Sequence, residues 1–234
     1  LGANMFFLPK ENQKLEINFS NLREYRFGGE MLVDKPAYLA QQAEERTHGV
    51  WMASADYQIK FDNDNSSIIT YLAWQNTDRK HYTGIQPDTV TAEYDKFIKA
   101  PPYGTSDVST YNVGMQLNHK INNFLKGKNV FTLGLEYVYD DVFDEISSYQ
   151  YLIDQTTKDL GAFVQSDWEI IPQLTFLAGA RMDKHNLIDN LIFSPRASLL
   201  YKLKKKTQFR FSYGSGFRAP QAFDTDLHIA FAAG

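Results

Sequence analysis

The sequence predicts an all-β fold, an antiparallel up-and-down meander of about nine strands that forms part of a transmembrane β-barrel. Three observations favour this fold class. Most of the chain alternates apolar and polar residues with the period of two that is typical of strands. The alternating segments run for about 10 to 15 residues, longer than the usual length of about five or six. Their connections alternate between short turns and long loops, as in outer-membrane barrels.

Composition excludes several other classes of protein. The chain has no cysteine, which excludes a disulfide framework and a thiolate metal site. Its formal net charge of -4 lacks the basic excess that nucleic-acid binding needs. No apolar run approaches the roughly 18 residues of a membrane helix. The aromatic content of 15% suits either the core of a soluble sandwich or the aromatic girdles of a membrane barrel.

The first part of the chain predicts three strands. The N-terminal decapeptide has an apolar patch but no signal-peptide pattern, and because the sequence opens on Leu we expect a piece of a longer chain. Alternation of Leu15, Ile17 and Phe19 with polar residues predicts the first strand. A long polar loop with one helical turn near AQQAEER is predicted over 26–47. The second strand covers 51–61 and ends in the turn DNDNSS. The third strand, which is less regular, covers 67–78.

The middle of the chain predicts two strands between two long loops. Residues 79–107 are rich in Tyr, Pro and charge, which predicts a functional loop. Alternation resumes over 111–121 and, after a turn at 126–128, over 131–139. A further polar loop is predicted over 141–158.

The last part of the chain predicts four strands. They cover 160–170, 174–182, 193–203 and 209–217, with short reversals at Pro172 and Lys204 and loops over 184–190 and 218–234. Residues 1–234 are predicted to form a single, partial barrel domain.

The two faces of these strands predict what each face meets. Phe131, Leu133, Leu199 and Phe211 are expected to face lipid. The polar face mixes both charge signs with small residues, as expected where a wet lumen or a plugging domain is met. The residues predicted to face this lumen are Glu136, Asp167, Arg181, Asp183, Arg196 and Arg210. Alternation alone is also compatible with a soluble sheet that has one solvated face.

The long loops hold the candidate binding residues, because binding residues concentrate on loops held by a rigid scaffold. Their rings and cations suit an anionic or aromatic chelate, or a sugar ring. The candidates are Arg79, His81, Tyr82, Tyr94, Tyr103, Tyr149, Tyr151, Arg218 and His228. The alternative is that these aromatic residues only pack the loops together. No pair of the five histidines has metal-ligand spacing, so no metal site is predicted.

Other short motifs carry little weight. Gly214, Gly216 and Ala219 match a dinucleotide fingerprint, but Pro220 prevents the helix that this fingerprint requires. Asp62 and its neighbours resemble the start of a calcium loop without its glycine and glutamate, so a plain turn is predicted. A hydrolytic triad of Asp183, His185 and Ser194 lacks a nucleophile elbow, which favours rim residues in contact with water.

Three stretches carry a family resemblance: Ser194–Ile229 with its SPRASLLY and RFSYGSGFRAPQAFD segments, RTHGVW at Arg46–Trp51, and PQLTFLAGARMDKH at Pro172–His185. Together they resemble the barrel of TonB-dependent outer-membrane receptors. The resemblance implies a 22-stranded barrel around an N-terminal plug, in the cell outer membrane of a Gram-negative bacterium. We find no plug, TonB box or closing C-terminal strands in these residues, so the chain is expected to be a central barrel piece.

The resemblance also implies a function. Such a receptor imports a bulky, scarce nutrient of the ferric siderophore, haem or cobalamin class, driven by TonB with ExbB/ExbD through the plug. No enzymatic activity and no cofactor are expected. The alternative function is a soluble β-sheet carbohydrate-binding module.

Overall fold

A computed structural model describes residues 1–30, 32–204 and 207–218. They form one antiparallel sheet of ten strands in chain order, so each strand pairs only with its sequence neighbours. The strands are β1 Gly2–Phe7, β2 Gln13–Gly29, β3 Gln42–Phe61, β4 Ser66–Ile85, β5 Tyr103–Phe124, β6 Gly127–Ile146, β7 Tyr151–Ile171, β8 Leu174–His185, β9 Ile192–Lys204 and β10 Thr207–Gly214. The connections include the helix α1, Ala92–Lys99, and two 3₁₀ helices, Ala37–Leu39 and Ser147–Tyr149. Within these ranges no helix has the length and apolar character needed to cross a membrane.

Tight turns join the strands at one end of the sheet, which we call the turn end. Asp62, Asn63 and Asp64 all have positive φ, with values of 55°, 50° and 64°. Leu125 and Lys126 have φ of 47° and 70°, the geometry of a two-residue type I′ hairpin. At the opposite end, the loop end, lie the two longest connections, 30–41 and 86–102. The predicted one-sided distribution of turns and loops therefore holds for these connections.

Three of the predicted loops are too long, because the strands continue into them. β2 reaches Gly29 and β3 starts at Gln42, so both ends of 26–47 are strand and the connection is only 30–41. The helical turn lies at Ala37–Leu39 rather than at AQQAEER. β4 runs to Ile85 and β5 starts at Tyr103, within the predicted loop 79–107. The predicted loop 141–158 shrinks to 147–150, and 184–190 moves to 186–191.

The strand count also differs, with ten strands where about nine were predicted. The additional strand, β1, contains the consecutive apolar residues Met5, Phe6 and Phe7, which do not alternate. Of the predicted loop 218–234 only Arg218 lies within the described residues. Residues 205–206, between β9 and β10 in the sequence, also lie outside them.

The register assigns each residue to one of two faces. Tyr71, Gly114, Glu136, Gly161 and Asp183 are successive partners across β4 to β8, and they define what we call the polar face. The residues between them in each strand form the opposite, apolar face. Phe131, Leu133, Leu199 and Phe211 all lie there, and Leu133 and Phe211 are 50% and 68% exposed. The apolar face is therefore bare, as predicted for residues that face lipid.

Aromatic rows border this apolar band at both ends. Trp74, Tyr111 and Tyr139 are direct partners on β4, β5 and β6. Towards the turn end, Phe124 contacts Phe131 and Trp168 with ring centroids 5.3 and 5.8 Å apart. From 131 to 139 the strand rises about 27 Å, or about 21 Å along the normal for a tilt of about 40°. This height is close to the roughly 25 Å of a membrane barrel.

Polar residues replace the apolar ones beyond the aromatic row at the loop end. The next outward positions are Asn76, Ser109 and Asp141, which are direct partners on β4, β5 and β6. The strands thus extend well past the apolar band, and the residues beyond the row Trp74, Tyr111 and Tyr139 lie outside the membrane-spanning segments.

Candidate functional site

The polar face at the loop end carries a compact group of charged and imidazole side chains. β3 and β4 place His48 opposite Arg79 and Arg46 opposite His81, so that cations and histidines alternate across the two strands. Arg79 reaches over β5 to Asp144 on β6, with 3.5 Å between Nη2 and Oδ2. We call these five residues the Arg–His cluster. It lies on strand extensions beyond the aromatic row, where a predicted loop had been expected to hold Arg79 and His81.

The Arg–His cluster contains hydrogen-bonding atoms that are buried and lack a partner. They are Nε2 of His48, Nε of Arg79, Nδ1 of His81 and Oδ1 of Asp144. Buried polar atoms are normally paired, because leaving one unpaired costs about 1–3 kcal/mol. Four such atoms from four neighbouring residues leave the Arg–His cluster with unused hydrogen-bonding capacity.

Charges in and around the Arg–His cluster are nearly balanced when the histidines are neutral. Arg46 pairs with Glu44 at 2.6 Å, and Arg26 on β2 pairs with Glu24 at 2.8 Å. Asp144 is buried, and this burial raises the pKa of its carboxyl, which Arg79 partly offsets. Burial, with Arg79, Arg46 and His48 nearby, lowers the pKa of His81 to about 4. His81 is therefore neutral at neutral pH in the absence of a ligand.

A second group of charges lies on the same face, within the height of the apolar band. Glu136 accepts hydrogen bonds from Tyr71 Oη at 3.0 Å and from Arg181 Nη1 at 2.8 Å. Arg181 Nε also donates to Asp183 Oδ1 at 2.7 Å. Asn112 contacts Glu136 at 3.4 Å. We call this set the Glu136 network, and it ties together β4, β5, β6 and β8.

The six residues predicted to face the lumen all share the polar face, but only three come together. Glu136, Arg181 and Asp183 belong to the Glu136 network. Arg196 instead donates to Gln165 on β7. Asp167 pairs in register with Leu177 on β8, and Arg210 with Leu200 on β9.

Two of the predicted aromatic candidates pack in a small core on the opposite face. Tyr82 is 0% exposed and contacts the Tyr103 ring at 5.2 Å. Tyr103 also contacts Tyr38 and donates from Oη to Glu45 Oε2 at 3.0 Å. This core, which we call the loop core, joins the connection 30–41 and α1 to the outside of the sheet. It fits the packing alternative, since the buried Tyr82 ring offers no free face.

The remaining candidates are dispersed. Tyr94 lies in the first turn of α1, and its N–H is capped by Thr91. Tyr149 is half exposed in a 3₁₀ helix, and Tyr151 begins β7. Arg218 is exposed just after β10, and His228 lies outside the described residues.

The hydrolytic alternative is not supported by the contacts. Asp183 bonds to Arg181, and Nδ1 of His185 accepts the backbone N–H of Leu187 at 3.2 Å. Ser194 is opposite Arg181 in the register. In the described ranges no group of three or more His, Asp or Glu has metal-binding geometry either.

Sequence reasoning missed Arg46, His48 and Asp144 as members of a site. β3 and β6 extend to these positions, but the alternation of apolar and polar residues does not. Both faces are polar beyond the aromatic row, so these segments resemble loops by composition.

Comparisons with known proteins agree with this architecture. A family model described as "TonB dependent receptor-like, beta-barrel" matches residues 10–231. A search of curated proteins gives no significant match.

Solved structures share the fold at low sequence identity. The siderophore receptor PirA from Pseudomonas aeruginosa superposes with a TM-score of 0.70 at 13% identity, over 94% of this chain and 33% of that one. A G324V mutant of the ferric enterobactin receptor PfeA from the same species superposes with a TM-score of 0.73 at 13% identity, over 95% of this chain and 33% of that one. The alcaligin outer-membrane receptor FauA from Bordetella pertussis superposes with a TM-score of 0.64 at 13% identity, over 91% of this chain and 34% of that one. The chain thus spans about a third of the length of these structures.

Proposed function

This chain belongs to the TonB-dependent receptor-like β-barrel family, and we propose that it forms part of the wall of a transporter that imports an anionic metal chelate of the ferric siderophore class. The family consists of β-barrels of the Gram-negative outer membrane that are transporters rather than enzymes. In this proposal the Arg–His cluster contacts the chelate, and the Glu136 network braces the wall below it.

Three unpartnered nitrogen atoms of the Arg–His cluster carry this proposal: Nε of Arg79, Nε2 of His48 and Nδ1 of His81. Catecholate, hydroxamate or carboxylate oxygens around a metal are acceptors for Arg79 Nε and for the histidine N–H groups. The cluster lies beyond the aromatic row, on the side where the sheet has its longest connections. A ligand arriving from outside the cell meets this part of the wall first.

The names of similar structures support the siderophore class. PirA is called a siderophore receptor, and PfeA a ferric enterobactin receptor. We extend the ligand class, but not the individual ligand, to this chain. Energy would come from TonB with ExbB/ExbD, acting through a plug domain. A soluble carbohydrate-binding module is disfavoured, because the described strands form one sheet with a bare apolar face.

Ligand binding by the full-length receptor in detergent tests the proposal. We would titrate ferric enterobactin, haem and cyanocobalamin separately and follow quenching of intrinsic fluorescence. We expect Arg79→Gln to weaken ferric enterobactin binding about tenfold or more, because one charge-assisted hydrogen bond contributes about 1.5–3 kcal/mol.

Lys80→Gln is the matched control. Lys80 has the same charge and is the next residue of β4, but it faces the other way, over the Tyr103 ring at 4.9 Å. Its affinity should stay within about twofold of the unmodified receptor. Equal affinities for Arg79→Gln and the unmodified receptor would remove the cluster from the binding site. Binding of haem or cyanocobalamin in place of ferric enterobactin would overturn the siderophore class.

A further inference from the structure

We propose that ligand binding at the Arg–His cluster is coupled to proton uptake by His81, so that the site holds an anionic chelate more tightly at mildly acidic pH. This inference rests on the proposed function, since it assigns a regulation to the same site. It follows from the position of His81 relative to the groups that face it.

Cations surround His81 on its own strand and on the neighbouring one. Arg79 lies two residues away on β4, and Arg46 is its direct partner on β3. β5 contributes Gly104, over which the His81 ring lies so closely that a Cβ at Gly104 would be 2.3 Å from Cε1. The ring is thus held in place without an acidic partner, which favours its neutral form.

Carboxylates near His81 are occupied by other cations. Asp144 on β6 faces Arg79, and Glu44 on β3 pairs with Arg46. On β2, Glu24 pairs with Arg26. Three guanidinium groups therefore face three carboxylates, and protonation of His81 adds one positive charge to this surface.

An anionic ligand reverses this preference for the neutral ring. Nδ1 of His81 is buried and has no partner, whereas an imidazolium needs an acceptor at each ring nitrogen. A ligand oxygen at Nδ1 supplies such an acceptor, and its negative charge offsets Arg79 and Arg46. The pKa of His81, about 4 without ligand, then rises on binding. By linkage, binding takes up a proton between the free and bound pKa values and tightens as pH falls through that window.

The test needs an anion whose own charge does not change with pH. Hexacyanocobaltate(III) is an inert trianion suited to this purpose, and its binding to the full-length receptor can be followed by the ⁵⁹Co line width. We expect the dissociation constant to fall about fivefold or more from pH 7.5 to pH 5.5, within the limit of about tenfold per pH unit for one proton. Addition of the probe to unbuffered receptor at pH 5.5 should also consume up to about one proton per site.

Variants assign the proton to His81. Asn at position 81 retains a polar side chain but does not titrate, so His81→Asn should abolish most of the pH dependence. Asp144→Asn should preserve it, which separates His81 from the other buried titratable group that faces Arg79. Retention of the pH dependence in His81→Asn would overturn the inference, whatever the result for Asp144→Asn.

The outcomes for the unmodified receptor separate the two proposals. Binding with the same affinity at both pH values and no proton uptake would overturn the proton coupling while leaving the anion site intact. If the probe bound at neither pH 5.5 nor pH 7.5, the proposed anion site itself would be overturned.

Discussion

Arg181 on β8 reaches across the intervening strand β7 and donates a hydrogen bond from Nη1 to Oε2 of Glu136 on β6, at 2.8 Å. Gly161 of β7 makes this contact possible. A Cβ at Gly161 would be 2.2 Å from Nη2 of Arg181 and 2.7 Å from Oδ1 of Asp183. A residue without a side chain on the middle strand therefore lets strands that are not neighbours form an ion pair.

Replacement of Gly161 should break this ion pair. We expect Gly161→Ala to displace the Arg181 guanidinium and to lower the free energy of unfolding of the full-length receptor by about 1–3 kcal/mol. Urea unfolding in detergent, followed by tryptophan fluorescence, measures this loss. Gly28→Ala is the control, because a Cβ at Gly28 would have no atom within 4 Å. Equal stabilities of the two variants would contradict this role of Gly161.

Gly127→Ala should destabilise the full-length receptor more than Gly161→Ala does. Here the added Cβ would be 2.3 Å from the backbone carbonyl oxygen of Glu169, which cannot swing away as a side chain does. We expect the start of β6 to shift and unfolding to occur at a lower urea concentration than for Gly161→Ala. The reverse order of the two midpoints would show that β6 and β7 separate easily at the turn end.

Tyr71→Phe isolates one hydrogen bond of the Glu136 network. The ring still covers Gly114, where a Cβ would be 2.2 Å from Cζ of Tyr71, so packing is retained. Loss of the hydroxyl donor to Glu136 should reduce the free energy of unfolding by about 1–2 kcal/mol. The double variant Tyr71→Phe, Glu136→Gln tests whether the two side chains interact. If they did not, the losses in the free energy of unfolding of the two single variants would add up to that of the double variant.

A charge on the apolar band should be poorly tolerated. Leu133 is half exposed between the aromatic rows, and we expect Leu133→Arg to destabilise the membrane-embedded barrel by about 2–4 kcal/mol. Val138→Arg introduces the same charge on the polar face of the same strand and should cost much less. Folding into lipid vesicles, measured by heat modifiability on gels, compares the two. Equal costs would contradict the assignment of the faces.

The loop core should hold the connections 30–41 and 86–102 against the sheet. Tyr82→Ala removes its fully buried ring, and we expect faster cleavage within these two connections because the local packing is lost. Limited proteolysis of the full-length receptor with identification of the cut sites measures this effect. Tyr94→Ala, at the start of α1 and outside the loop core, is the control. An unchanged cleavage rate in Tyr82→Ala would show that other contacts hold these connections.

Sequence patterns predicted the strands well where one face meets an apolar environment. Leu133, Leu135 and Tyr137 alternate with polar partners because only the outward positions require apolar residues, and β6 was identified from this alternation. Beyond Tyr139 the same strand continues with Asp141 and Asp144 on opposite faces. Water on both sides removes the pattern, and 141–158 was therefore predicted as a loop.

The sequence indicated candidate site residues by their chemistry, but it did not indicate which residues lie next to them. Arg79 and His81 were chosen because cations and imidazoles suit a chelate, and they lie in the Arg–His cluster. Their neighbours Arg46 and Asp144 are distant in sequence and meet them only through the register of β3 to β6. Tyr82 is a residue type that suits ligand binding, yet it is buried because it lies on the face opposite the Arg–His cluster. One residue of shift along a strand decides between these outcomes.

The meander has a consequence for assembly. Each new strand pairs with the strand that precedes it in the sequence, so the sheet can form one hairpin at a time. Each step then closes a loop no longer than one hairpin. The entropy cost of each step then stays nearly constant however many strands are already in place. Each new hairpin can therefore be added at the edge of the sheet while the strands that follow it are still unfolded.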